Sequence, residues 1–344
     1  MRSGILAPAA ALTKATLIGF LLQATAGGQT PDTDAWRPGR TAWGHPNLQG
    51  VYTFSTQTPL ERPERLGNKE TYTEEELAEL ERQAALRIAT DDVTVEPGEV
   101  PAYNTYWTSN EKGRLTARTS LIVDPPNGRL PPLTERAQAT YDERAAKLAS
   151  RQVGEPPFVY TLYDSWLDHP AFTRCVARPM PRIGQAYNHG LQILQTPDHV
   201  VIYYESMHDA RIIPLDGRPH IDPSIRQWNG DSRGHWEGDT LVVDWRNFTD
   251  KQEFRGLGLP QGNMRFVERI TKVDENTIEY EVTVHDPTTW TTPWTFVAPW
   301  RADDPNYQSP VDLYEFGCHE GNYRMMANSL NGSRALREAH AEPE

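Results

Sequence analysis

The second half of the chain, from about residue 190 to 300, is a series of short runs in which apolar and polar side chains alternate. The clearest run is Thr277–His285, where branched or aromatic apolar residues alternate with threonine, glutamate and histidine. A period of two places one set of side chains in a core and the other in water, as in an antiparallel sheet. Turn sequences such as Glu237–Asp239 separate the runs. The chain must therefore build its core mainly from β-strands.

Two helical patterns precede these strands. Thr73 followed by Glu76 forms a capping box that predicts a helix over 74–89, and Thr134 caps a second amphipathic pattern over 135–150. The strand series is expected to end with a strand over 312–317. Because strands and helices do not alternate regularly, the predicted fold class is mainly β, an antiparallel barrel or sandwich with two early amphipathic helices.

The first residues have the pattern of a secretory signal. Arg2 is followed by a short apolar stretch and an Ala-x-Ala sequence at 24–26. We predict a signal peptide over 1–26, an extended tail over 27–47, and a single β-rich domain over 48–340. An uncleaved membrane anchor is the alternative, but the apolar part is shorter than the roughly 20 residues that a spanning helix needs. The expected location is periplasmic or secreted, without stable membrane insertion after cleavage.

Charge and cysteine content restrict the partners. The formal net charge is −13, so the surface repels phosphate backbones and no nucleic-acid partner is expected. The two cysteines, Cys175 and Cys318, are expected to form a disulfide in an oxidising compartment. Closing so long a loop is worth roughly 4–5 kcal/mol in the chain-entropy model. Two isolated buried thiols are the alternative, and the oligomeric state is left open.

Ionisable residues are concentrated between the strand runs. In the run Glu205–Arg211, His208 is a candidate general acid or base and Arg211 a candidate ligand for a substrate oxygen. An ion pair between Asp209 and Arg211, with His208 bonded to the backbone, is the structural alternative. Just before the first of these strands, Tyr187 is a candidate proton donor or acceptor and Asn188 a candidate oxyanion donor. Simple packing by the tyrosine is the alternative there.

A second cluster lies in Gly230–Trp236, where glycines flank Asp231, Arg233 and His235. Asp231 and His235 are a candidate oriented acid–base pair, with Arg233 and His235 also available for substrate binding. A surface turn held by a salt bridge is the alternative. The histidines of this half also suggest a metal set, but no H-E-x-x-H, H-x-H or C-x-x-C spacing is present, so no metal or other cofactor is predicted.

Four long runs carry a resemblance: RTSLIVDPPNGR at 118–129, HDARIIPLDGRPH at 208–220, GDSRGHWEGDTLVV at 230–243 and CHEGNY at 318–323. They are similar to a family of exported bacterial proteins. The resemblance implies export and implies no particular reaction. The β-rich part also resembles a lipocalin-like barrel at the level of the fold.

The first hypothesis is an exported, metal-independent enzyme of lyase, hydratase or isomerase type, acting on a small organic or glycosidic substrate in a barrel pocket. Its catalytic residues would be Tyr187, His208 and Asp231. The expected substrate-binding residues are Asn188, Arg211, Arg233 and His235. A non-enzymatic, lipocalin-like binder of a small ligand is the second hypothesis, and a metal-dependent hydrolase is the third. For the first hypothesis, these polar side chains must converge in one cavity.

Overall fold

Strands form most of the regular structure of the chain. The computed structural model describes residues 36–90, 113–155, 160–183, 188–254, 259–302 and 313–341. The strands are β1 Gly50–Thr53, β2 Ile122–Asp124, β3 Gln152–Val153, β4 Tyr160–Thr161, β5 Gly190–Gln195, β6 His199–Tyr204, β7 Ala210–Pro214, β8 Asp231–Glu237, β9 Thr240–Arg246, β10 Arg265–Lys272, β11 Thr277–His285 and β12 Trp294–Arg301. The helices are α1 Glu74–Thr90, α2 Glu135–Ser150 and α3 Cys318–His340. The predicted signal peptide lies outside the described residues.

One antiparallel sheet holds every described strand except the small β3–β4 pair. Its order is β7-β6-β5-β1-β12-β11-β10-β9-β8, with β2 added beside β12. Hairpins connect β5 to β6, β6 to β7 and β8 to β9. Strands β10, β11 and β12 pair with one another in sequence order. The early strand β1 lies between β5 and β12 and so joins the two groups. The prediction of a mainly β, antiparallel fold with few helices is confirmed.

The inner face of this sheet is packed with aromatic and branched side chains. In β11 the four alternating apolar residues are all buried, as the period of two predicted. The ring of Tyr280 stacks on Trp300 of the neighbouring strand, with ring centroids 4.2 Å apart. Trp245, Trp294 and Phe296 are fully buried on the same face. In the described residues, packed side chains therefore cover the inner face of the sheet.

The Arg211 side chain crosses this interior and links the end strand β7 to the other end strand, β8, and to β10. Among the described residues no ladder joins β7 to β8, so hydrogen bonds between strands do not close the sheet. Instead Arg211 of β7 donates from Nε to Ser232 Oγ of β8, at 2.9 Å, and from Nη1 to Glu268 Oε1 of β10, at 2.8 Å. Its guanidinium lies 3.6 Å from the centroid of the Trp245 ring. The predicted substrate ligand Arg211 is therefore a buried structural residue with its donors already engaged.

The sequence does not predict the last helix, α3. It predicts a strand over 312–317, but residues 313–317 form no strand and the helix begins at Cys318. Gly321, Gly332 and several Asn and Ser residues weaken the helical pattern of this segment. Cys318 is disulfide-bonded to Cys175, with the Cα atoms 5.8 Å apart. The disulfide prediction is confirmed, and the bond ties the start of α3 to the segment before β5.

We expect Glu268→Ala to lower the free energy of unfolding by about 3–5 kcal/mol, because it leaves the Arg211 charge buried without its partner. Urea unfolding measures the effect. Glu237→Ala is the control, since Glu237 pairs with Arg269 at the surface, with about half of the glutamate side chain exposed (49%). Equal stabilities for the two variants would show that the interior ion pair does not support the sheet.

Candidate active site at the end of strands β5 to β7

A buried carboxylate lies where β6 ends. Glu205 is 3% exposed; its Oε1 accepts from Asn188 Nδ2 at 2.5 Å and its Oε2 accepts from the Gly190 N–H at 3.1 Å. Burial raises the pKa of Glu205, and the hydrogen bonds from Asn188, Gly190 and the Tyr314 backbone oppose that rise. A carboxylate in such surroundings is a stronger base than one at the surface.

The backbone around Glu205 adopts conformations that side chains disfavour. Asn188, Met207 and His208 have φ angles of 56°, 68° and 53°. In the described chain, two other non-glycine residues, Cys175 and Asn247, have a positive φ. Such residues cost of order 1–3 kcal/mol each and are concentrated at functional sites. Three of them close to Glu205 in the sequence or hydrogen-bonded to it favour a functional role for this end of the sheet.

His208 accepts a hydrogen bond from the segment before α3. Its Nε2 accepts from the Phe316 N–H at 3.1 Å, and its ring lies edge-on to the Phe316 ring with centroids 6.4 Å apart. A neutral imidazole that accepts at Nε2 carries its proton on Nδ1. His208 therefore ties residues 313–317 over the β6–β7 turn and presents Nδ1 as a donor.

A second ion pair, between Arg182 and Asp209, lies at the same end of the sheet. The Arg182 guanidinium is 4.9 Å from the centroid of the Tyr204 ring, and its side chain is 1% exposed. Burial lowers the pKa of Arg182 and raises the pKa of Asp209, although each group's attraction to the other opposes its shift. We call Arg182, Asn188, Glu205, Ser206, His208 and Asp209 the Glu205 site.

The residues predicted around Asp231 lie elsewhere. Ser232 faces the interior, so its neighbour Asp231 points to the outer face of β8. Asp231 Oδ2 is 2.6 Å from His220 Nδ1, and Arg233 Nη1 donates to Asp231 Oδ1 at 2.6 Å. His235 is exposed and lies 3.2 Å from Glu237 Oε1 instead.

The predicted pairing of Asp231 with His235 is therefore wrong, and His220 takes the place of His235. The physical reason is the extended strand. Four residues of a strand span roughly 13 Å, so Asp231 and His235 share a face but do not touch. The loop before β8 brings His220 back over Asp231, and His220 Nε2 also lies 3.6 Å from Asp244 Oδ2.

The predicted residues thus occupy three places. Asn188 and His208 belong to the Glu205 site, Arg211 lies in the interior, and the outer face of β8 carries Asp231, Arg233 and His235. Tyr187 lies outside the described residues. The convergence that the first hypothesis required is not found for the described members of the set.

Glu205 and Arg182 are site residues that the sequence does not predict. The acid directly after an alternating run was a signal for Glu205, whereas nothing in the sequence marked Arg182.

A cavity of about 400 Å³ lies beside the first turns of α2. Arg136 and Arg226 line it together with Phe248 and Leu259. None of the predicted site residues that the structure describes lines this cavity. Among the described residues, no three His, Cys, Asp or Glu side chains are grouped so that they could hold a metal ion. The helices that the structure describes include none with the length and apolar character needed to cross a membrane.

We expect Gly190→Ala to disturb the Glu205 site. A Cβ at this position would lie 2.4 Å from Glu205 Oε2 and 2.6 Å from Leu313 Cδ2, so both side chains must move. The expected loss of unfolding free energy is about 1–3 kcal/mol, typical of overpacking. Thermal unfolding measures it against Gly39→Ala, where the added carbon would meet nothing within 4 Å. A Gly190→Ala protein as stable as that control would contradict the described packing.

The raised pKa of Glu205 has a consequence for stability. Because the folded-state pKa lies above the ordinary value of 4.5, the folded protein loses stability as pH rises from that value through the raised one. Glu205→Gln does not titrate, so the stability of the wild type relative to this variant should be greatest near about pH 4 and should fall towards about pH 8. Urea midpoints of both proteins across this range test it. A pH-independent difference would mean that burial does not shift this carboxyl.

Comparisons with known proteins add little to this geometry. No protein-family model and no curated protein matches the chain. A solved structure that matches part of it is a secretary abundant heat soluble (SAHS) protein from Ramazzottius varieornatus. The match has 14% identity and a TM-score of 0.22, and covers 33% of this chain and 69% of that one. At that TM-score the likeness carries no argument about fold or function.

Proposed function

We propose that this protein is an exported, metal-independent enzyme that performs acid–base chemistry of lyase, hydratase or isomerase type on a small organic substrate, at the Glu205 site. The observation that carries the proposal is the Glu205 carboxylate, which is 3% exposed, has a raised pKa and is fixed beside a strained turn. A base whose pKa is raised towards the working pH transfers protons efficiently.

Each nearby group has a role in this scheme. Glu205 takes a proton from the substrate. His208, with its Nε2 engaged by Phe316, is placed to donate a hydrogen bond from Nδ1 to a substrate oxygen on which charge develops, and the protonated Glu205 returns the proton to the substrate or product. Asn188 orients the Glu205 carboxylate through its amide. Tyr187, directly before Asn188 in the sequence, remains a proposed proton-transfer residue. Asp231, Arg233 and His235 have no part in this site.

The side-chain contacts between the end strands support a barrel-like arrangement of the sheet next to the proposed site. Arg211 holds β7 against β8 and β10 through side chains, which is consistent with the lipocalin-like barrel expected from the sequence. The alternative, a lipocalin-like binder, needs an open apolar interior. The described inner face is instead occupied by aromatic rings and by the pair Arg211–Glu268. This favours chemistry at the end of the sheet over ligand storage within it.

Metabolite screening tests the proposal. Wild type and Glu205→Gln would be incubated with a mixture of small organic compounds, and mass spectrometry would identify any compound that the wild type converts. Glu205→Gln should convert it about 10²–10⁴-fold more slowly, which is the usual contribution of a general base.

Glu279→Gln on the exposed face of β11 is the matched control and should convert the same compound at the wild-type rate. Circular dichroism would verify that all three proteins are folded. Equal turnover by Glu205→Gln and wild type would remove Glu205 as the base and with it the proposed mechanism.

A further inference from the structure

Arg182 is buried, and two of its donor groups find no acceptor among the described residues. Its Nη2 pairs with Asp209, but Nε and Nη1 are inaccessible to solvent and no described residue accepts a hydrogen bond from them. Buried polar groups are almost always hydrogen-bonded, and an unpaired donor costs roughly 1–3 kcal/mol, more when it is charged. The buried Nε–H and Nη1–H groups of Arg182 thus point to a binding site for a further hydrogen-bond acceptor.

A second unpaired group lies on the neighbouring turn. The Ser206 hydroxyl is buried and has no hydrogen-bond partner in the part of the chain that the structure describes. Ser206 lies between Glu205, whose carboxylate is the proposed base, and Asp209, which pairs with Arg182. Unpaired donors from two segments therefore occur within the Glu205 site. Both are able to donate to an oxygen, and one of them carries a positive charge.

The surroundings restrict which anion fits. Arg182 lies over the aromatic ring of Tyr204, and His208 lies against Phe316. A planar monoanion on an apolar or aromatic body loses less hydration in such a place than a phosphate dianion does. Carboxylates also match the planar geometry of guanidinium donors.

We propose that Arg182 binds the carboxylate of the substrate, so that the enzyme acts on small organic acids. This inference rests on the proposed function, because it takes the Glu205 site to be the substrate site. Arg182 and Ser206 hold the carboxylate oxygens, and Glu205 then meets a proton elsewhere on the bound molecule. The ion pair between Asp209 and Arg182 Nη2 restricts the motion of the Arg182 side chain.

Benzoate is the probe, and benzyl alcohol is its neutral counterpart. Calorimetry should show that wild type binds benzoate and not benzyl alcohol. Arg182→Lys keeps the positive charge beside Asp209 but removes Nε and Nη1, and should weaken benzoate binding at least about tenfold. Arg218→Lys is the matched control, because Arg218 pairs with Asp216 at the surface, and should bind benzoate as wild type does.

The outcomes separate the two proposals. If Arg182→Lys binds benzoate as wild type does, or if wild type does not bind it, the carboxylate site is wrong, whatever the turnover of Glu205→Gln. If Arg182→Lys loses benzoate binding while the control keeps it, the carboxylate site is supported. If Glu205→Gln then keeps full turnover, Glu205 is not the base, although the carboxylate site remains supported.

Should Arg182→Lys not fold, the arginine Nε–H resonances of wild type provide the test. One of these resonances should shift with benzoate and not with benzyl alcohol. No shift would mean that water alone occupies the site, and the carboxylate proposal would be wrong.

Discussion

The buried pair of Arg211 and Glu268 is the interaction on which the arrangement of the sheet depends. In the described residues the two end strands are not joined by a ladder, and Arg211 connects them through its hydrogen bond to Ser232. Arg211 reaches β8 and β10 at once, and Tyr280 donates its hydroxyl to the same glutamate. Burial raises the pKa of Tyr280 well above its usual value, so its hydroxyl keeps the proton that it donates. The ion pair is tolerable in the interior because its polar atoms have these partners.

This pair also bears on the Glu205 site. Asp209 lies directly before β7. Arg211, the second residue of β7, is fixed by its ion pair with Glu268. Asp209 is thereby held where it meets Arg182. On the other side of the site, the disulfide and the contact between His208 and Phe316 fix the segment before α3. The site is built from positions that are far apart in sequence and are each anchored separately.

The structure assigns the other charged residues to a different face. Along β8, Asp231, Arg233 and His235 alternate with Ser232 and Gly234, and the two sets point in opposite directions. The ionisable residues that are close in the sequence therefore lie in three places: the Glu205 site, the interior and the outer face of β8. His220, Asp231 and Asp244 form a network on the outer face, where the hydrogen bonds from Arg265 and Arg246 outweigh burial and lower the pKa of Asp244.

The sequence predicts most of the antiparallel strands, because a period of two in β11 and tight turns such as Gly238 are local features. It also predicts the disulfide from two cysteines in an export context. The contacts between polar residues, in contrast, depend on the folded chain. Asp231 contacts His220 rather than His235, and Arg182 pairs with Asp209, which lies 27 positions away in the sequence. Such partners depend on how loops return over strand ends, and local patterning carries no information about that path.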